Sequence, residues 1–276
     1  MLGKLFKQEW RALTKILLPI NILLILITAA GSIILRSFNY DPDNSSTASM
    51  MQFTLFITFY IVALICVTCG AFIYLFVRYY KTMYSDEGYL TNTLPLSTHT
   101  LIIGKVLASS LWLFITYSIT CISVILLVFS QLNTAARGEV YAELLNLIDQ
   151  YNRYAPISFG PLAVISILIY SASMIYSVLF MYASMAIGQL FHKHKVIGSI
   201  AAYFGLNMIV QVISTMAMTL SGMFGYMTDD GGFATPDSVI NYFYSAYTIN
   251  GVIVIILGAA FYYISYILTK KKLNLD

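Results

Sequence analysis

Charge is scarce in this chain. Only 10% of its 276 residues are Asp, Glu, Lys or Arg, while 59% are hydrophobic. That balance excludes the ordinary soluble classes and points to a membrane protein. Cysteine is scarce too. Cys66, Cys69 and Cys121 all fall in apolar runs, so no external disulfide framework is expected and each reads as a small residue packed between helices. A phosphate-binding loop is missing: Gly104-Lys105 is followed by Val106 and lacks the upstream glycine. Any energy for work must then arrive through a partner. Ionisable groups are missing from the interiors of the apolar runs, which argues against an ion- or proton-coupled carrier. It argues equally against an intramembrane metalloprotease or a carboxylate-dependent transferase. No catalytic, cofactor-binding or metal-binding residue is expected in this chain, and it is not expected to be an enzyme. His192 and His194 stand two apart beside Lys193 and Lys195, a basic turn that repels a cation. His99 has no partner nearby in sequence. A cleavable signal peptide is not expected either, since the first apolar run is too long for one. There is no convincing internal repeat or second domain.

What the chain has is six long apolar runs, beginning near Ile16, Met51, Val106, Phe159, Val196 and Thr248. Each holds roughly 20 or more residues without an ionisable side chain, enough for an α-helix to cross a hydrocarbon core. The basic residues between them are unevenly shared. Lys4, Lys7, Arg11, Lys15, Arg78, Lys81, Lys105, Lys193, Lys195, Lys270, Lys271 and Lys272 fall on one side, against Arg36, Arg137 and Arg153 on the other. The positive-inside rule puts the larger set, with both termini, in the cytoplasm. The expected fold class is all-α: a single multi-pass domain with six transmembrane helices.

Four segments outside the runs carry further signals. In residues 2–18, Lys4, Lys7, Arg11 and Lys15 recur every three or four residues, with Trp10 at the boundary. The spacing predicts an amphipathic helix lying in the inner headgroup region, ended or bent by Pro19; an ordinary positive-inside flank is the alternative. Between runs two and three, residues 78–105, Asp86 and Glu87 stand in an otherwise basic compartment, followed by Gly88, Tyr89, Leu90, Leu94 and Pro95. This reads either as a short docking helix from Asp86 to Leu94 or as a solvated capped turn. In residues 131–156, Val140, Leu144, Leu147 and Ile148 keep a helical spacing apart from Glu139, Glu143 and Asp149. An external amphipathic helix is expected there, resting on the outer membrane face or on neighbouring spans. In residues 221–247, glycines precede Thr235-Pro236-Asp237, a helix start with Thr235 as N-cap. A short helix over Val239 to Tyr247 is expected to dip into the outer leaflet before the sixth span.

The basic N-terminal segment, the six spans and the run Ser85-Asp86-Glu87-Gly88-Tyr89-Leu90-Thr91 through Thr93-Leu94-Pro95-Leu96-Ser97 resemble the ABC transporter type-2 permease family, as found in Firmicutes. The resemblance implies an elbow helix at residues 2–18, a coupling helix from Asp86 to Leu96 that sits in a cleft of an ATPase subunit, and external re-entrant helices within 221–247. It implies a second permease chain, two nucleotide-binding subunits that hold the ATP and Mg²⁺, a bacterial plasma-membrane location, and no nucleic acid. The path between permeases would be lined by side chains such as Phe53, Phe56, Tyr60, Asn207 and Gln211, suited to an amphipathic, lipid-like or peptide cargo. The insertion at 131–156 departs from the plainest members. A sensor or immunity protein that binds an external peptide is the alternative function.

Overall fold

The computed structural model describes residues 2–37, 47–85, 88, 97–132, 134–191, 194–226 and 235–271. Among these residues the chain is all-helical. Its α-helices are α1 (Leu2–Ser37), α2 (Thr47–Tyr84), α3 (Thr98–Gln131), α4 (Thr134–Tyr154), α5 (Phe159–Gly188), α6 (Lys195–Leu220) and α7 (Pro236–Lys271), with a 3₁₀ turn at Met223–Tyr226. All but α4 are long and apolar enough to cross a membrane. Large apolar side chains stand exposed on their flanks, including Leu26, Phe59, Phe204 and Ile255. A water-facing surface would not leave so many uncovered. α4 differs because Arg137, Glu139, Glu143, Asp149 and Arg153 share its 21 residues.

Two elements depart from expectation. The helix does not end at Pro19, which lies inside α1. The reason is a packing row. Leu5, Glu9, Leu13, Leu17, Asn21, Leu24, Thr28 and Leu35 are all buried, at helical spacing, on both sides of the proline. Proline removes one backbone hydrogen bond, a local cost that tertiary packing offsets here. Likewise residues 236–247 are the first turns of α7 rather than a separate short helix. Thr235 does cap that start: its Oγ1 accepts the Ser238 N–H at 3.2 Å, and Ser238 Oγ donates to the Thr235 carbonyl at 2.7 Å. Nothing then interrupts the helical hydrogen bonding at Tyr247.

The chain divides into two compact units. The first comprises Met1–Arg78 and Leu107–Ala142, so it holds α1, most of α2 and most of α3. Its apolar core is Leu24, Leu35, Tyr60, Val67 and Leu127, with Phe53, Phe56 and Leu64 packed against it. Polar groups are threaded along the same helices. Asn21 Nδ2 donates to the Leu17 carbonyl at 2.8 Å and to Thr116 Oγ1 at 3.0 Å. Tyr60, only 4% exposed, donates its hydroxyl proton to Ser123 Oγ at 2.9 Å. At one end Arg78 on α2 grips the Glu9 carboxylate through Nε at 3.1 Å and Nη2 at 2.8 Å. Trp10 stacks near Phe6 and tilts onto Trp112, with ring centroids 5.8 and 5.1 Å apart.

The second unit comprises Tyr79–Val106 and Glu143–Asp276. Its centre is α5, in which every residue from Val178 to Ala186 is buried. A helix apolar all round must be enclosed on all sides, and rings do the enclosing. Phe180 meets Tyr203 at 4.9 Å and Phe261 at 5.2 Å, both edge-on. Tyr176 meets Phe261 at 5.8 Å. At the α5–α6 turn, Gly188 lies against Ser199, where a Cβ would strike the Ser199 backbone. The closely packed Ser184–Gly188 pair contrasts with Gly205, which has open space around it. At the other end of α5, Asn152 Oδ1 of α4 accepts the Phe159 N–H at 2.8 Å, and Tyr151 sits edge-on to Phe159 at 6.3 Å. Partial burial, with Tyr244 nearby, pushes the Tyr151 phenol up from its ordinary value.

Candidate functional site

The connector between α2 and α3 stands on two feet, both built into the second unit. The first foot is the last turn and a half of α2. The Tyr79 ring lies flat on Tyr182 of α5, with centroids 3.4 Å apart and 11° between planes. Tyr84 meets Tyr79 edge-on at 5.9 Å and shares a 3.4 Å hydroxyl contact with Thr269 of α7. Met83 between them is fully enclosed. The aromatic residues at 79, 80 and 84 follow helical spacing, so Tyr80 and Tyr84 also touch, at 6.2 Å.

The second foot is the first turns of α3. Ser97 caps the helix, its Oγ accepting the Thr100 N–H at 3.3 Å. Leu101 and Ile102 are buried below it. His99 Nδ1 lies 2.6 Å from the Tyr262 hydroxyl of α7. Lys105 joins the two feet: its ammonium, on a residue only 4% exposed, donates to Thr82 Oγ1 at 2.8 Å. An enclosed ammonium is costly unless hydrogen-bonded, so this contact fixes the separation of α2 and α3 at this level.

Of the expected docking residues, Gly88 is described. Its N–H donates to the Ser85 carbonyl at 2.6 Å, and a Cβ there would strike the Met83 backbone. Gly88 therefore lies against the end of α2 in a space that only glycine fits. Asp86, Glu87, Tyr89, Leu90, Leu94 and Pro95 lie outside the described residues.

A second feature belongs to the first unit. A cleft of about 450 Å³ opens between α1 and α3, lined by Ile25, Ala29, Ile119, Ile122 and Leu126 with the hydroxyls of Thr28, Ser32, Ser123 and Ser130. Each hydroxyl spends its proton on its own helix. Thr28 donates to the Leu24 carbonyl, Ser32 to Ala29, Ser123 to Thr120 and Ser130 to Leu127, at 2.7–2.9 Å. Ser123 also accepts from Tyr60 and Ser130 from Gln131, so the wall facing the cleft is mainly apolar with a few hydroxyl oxygens. That surface can hold a chain-like molecule carrying a donor.

Neither a family model, nor a curated protein, nor a solved structure matches this chain.

The residues expected along a path separate into different settings. Tyr60 adjoins the cleft through Ser123, while Phe53 and Phe56 are partly buried against the first unit's core. Asn207 and Gln211 are exposed on α6, in the second unit. They do not line that unit's own shallow cleft of about 420 Å³, formed by Ile213, Ala217, Val252, Ile256 and their neighbours on α6 and α7. Lys4, Lys7, Arg11 and Lys15 are exposed along α1, whereas Trp10 is half-buried among other rings.

Sequence reasoning missed Glu9, Lys105, Tyr182 and Ser123. Glu9 had a signal: it occupies the row Leu5, Leu13, Leu17, four residues from its neighbours, and so shares the apolar face rather than the basic one. Tyr182 and Ser123 had none, because their roles come from partners distant in sequence.

Proposed function

We propose that this chain is the membrane-spanning permease subunit of an ATP-driven exporter of the ABC type-2 kind. In this reading the α2–α3 connector is gripped by a nucleotide-binding subunit, which holds the ATP and Mg²⁺. The observation that carries the proposal is the anchoring of both connector feet: Tyr79 on Tyr182, Tyr84 beside Thr269, and His99 on Tyr262. A force applied to a loose loop dissipates in the loop. A force applied here enters α5 and α7 directly. α2 also exceeds the need of a bilayer. Its 38 residues span about 57 Å at 1.5 Å per residue, against about 30 Å of hydrocarbon. The surplus length carries the connector into water, where a soluble partner can reach it.

The orientation follows from the basic residues, with both termini and the connector in the cytoplasm of a bacterial cell. Residues 2–18 form the cytoplasmic end of α1, at the elbow position, with their basic row turned to lipid headgroups. Two permease chains work with two ATPase subunits. The hydroxyl-lined cleft supplies the first contact for an amphipathic, lipid-like or peptide cargo, and ATP-driven movement of α2 and α3 opens or squeezes it.

The test is charge reversal at the connector in the reconstituted complex. Asp86→Lys with Glu87→Lys should weaken ATPase association at least about tenfold, or 1.4 kcal/mol. Cargo-stimulated ATP turnover should fall in parallel, with membrane insertion unchanged. Unaltered coupling removes the docking assignment. Labelling of a cysteine placed at position 92 from outside intact cells removes the whole scheme.

A second reading has one observation in its favour. Leu144, Leu145 and Leu147 on α4 are exposed, an apolar surface outside the six spans. A sensor or immunity protein would use it to hold an external peptide. Loss of peptide protection with ATP-coupled transport intact, on deleting residues 138–150, would favour that role.

A further inference from the structure

A cluster of titratable side chains in the second unit has no part in the anchoring beyond one hydrogen bond. It gathers around the ring of Tyr266 on α7. His99 of α3 stacks on that ring, with centroids 3.8 Å apart and 21° between planes. Lys270, one turn further along α7, reaches back to the same tyrosine. Its ammonium donates to the Tyr266 hydroxyl at 3.2 Å and lies 5.5 Å from the ring centroid. The Tyr262 hydroxyl completes the group at 2.6 Å from His99 Nδ1.

Three properties of this cluster point one way. It is exposed, so a ligand reaches it without rearrangement. It is cationic without an acid: among the described residues the polar partner of Lys270 is a tyrosine hydroxyl, not a carboxylate. It also has a spare donor. Tyr262 occupies Nδ1, and when that phenol donates, the ring proton sits on Nε2, facing away from Tyr262. The result is an imidazole N–H, an ammonium and a phenol hydroxyl held around one aromatic plane.

Its place in the chain narrows the ligand. His99 is the second residue of α3, and Lys270 is the last residue of the membrane-crossing stretch of α7. Aromatic and cationic side chains at the ends of spans stand at headgroup level. We infer that His99, Tyr262, Tyr266 and Lys270 form a binding site for a phosphate group, of the kind carried by an anionic phospholipid headgroup. The phosphate oxygens accept from the Nε2–H of His99 and from the ammonium of Lys270, while the Tyr266 ring holds the imidazole and the ammonium in register. The inference is independent of whether the chain works with an ATPase.

The experiment uses the full-length chain in mild detergent, with bound ligand counted by native mass spectrometry. Dioctanoyl phosphatidylglycerol, dioctanoyl phosphatidylcholine and inorganic phosphate serve as probes. Phosphatidylglycerol should bind more tightly than phosphatidylcholine. His99→Leu, which removes one N–H donor, and Lys270→Gln, which removes one cation, should each weaken it about fivefold, and the pair about 25-fold. Lys270→Arg should restore binding, and Arg153→Gln, on α4, should leave it unchanged. Competition by millimolar inorganic phosphate would assign the site to free phosphate. Its failure to compete would assign the site to the lipid. Equal binding of the two lipids, or full binding by the double variant, overturns the inference.

Discussion

The unit holding α1 and most of α2 and α3 is threaded with amides and hydroxyls, whereas the unit built on α5, α6 and α7 is packed with rings. Asn21, Thr28, Tyr60, Thr116 and Ser123 are buried in the first. Tyr79, Tyr182, Phe180 and Phe261 are buried in the second. The two solutions differ in how they resist deformation. In lipid, a side-chain hydrogen bond between helices is worth about 0.6 kcal/mol on average. A helix pair held by a few such bonds parts at small cost and can reform with new partners. Interlocked rings have no cheap intermediate: displacing one opens a void that nothing refills. The polar unit is therefore the more easily parted of the two, and the aromatic unit the stiffer.

The largest expected effect tests the aromatic side. Tyr182→Ala removes the plane on which Tyr79 rests and leaves a cavity beside α5. Unfolding of the purified chain in mixed micelles should show a loss of about 3–5 kcal/mol, with Tyr182→Phe, which keeps the ring against Tyr79, losing less. The next effect falls on the ion pair of the polar unit. Arg78→Ala strands the Glu9 carboxylate, on a residue 8% exposed. The loss should be about 2–3 kcal/mol, below that of a fully buried pair because the Arg78 side chain is 23% exposed. Adding Glu9→Gln should recover most of it. The smallest effect sharpens the contrast. Ser123→Ala removes the acceptor of the Tyr60 proton and should cost about 0.6 kcal/mol in the same assay. A loss as large as that of Tyr182→Ala would erase the distinction between the units.

The six spans were legible because a run of uncharged residues is a property of the chain read in one dimension, and lipid forces such a run into a helix. The start of α7 at Thr235-Pro236 was legible for a similar reason, since capping is local. Pro19 was read as ending or bending the helix; its cost is local, while the row from Leu5 to Leu35 that carries the helix past it is tertiary. Residues 239–247 misled because tyrosines and polar groups near a span mimic an interfacial segment, although the backbone runs on without a break. At the candidate site, Tyr60 was named as a path-lining candidate, while its burial and its partner Ser123 depend on how α2 meets α3. Glu9 drew no reading, because a single acid among lysines shows its burial only when its row with Leu5 and Leu13 is followed into the fold. His99 was read as a lone polar residue because Tyr262 and Tyr266 lie more than 160 positions away.

The hydrogen bond from Phe159 to Asn152 has a practical reach beyond capping. It fastens the tail of α4 to the head of α5, and α5 is the axle of the ring-packed unit. A rotation of that axle must swing α4 with it. A dye at exposed Leu147 would therefore act as a pointer on a dial, reporting movement deep among the tyrosines from a place where nothing needs to be disturbed.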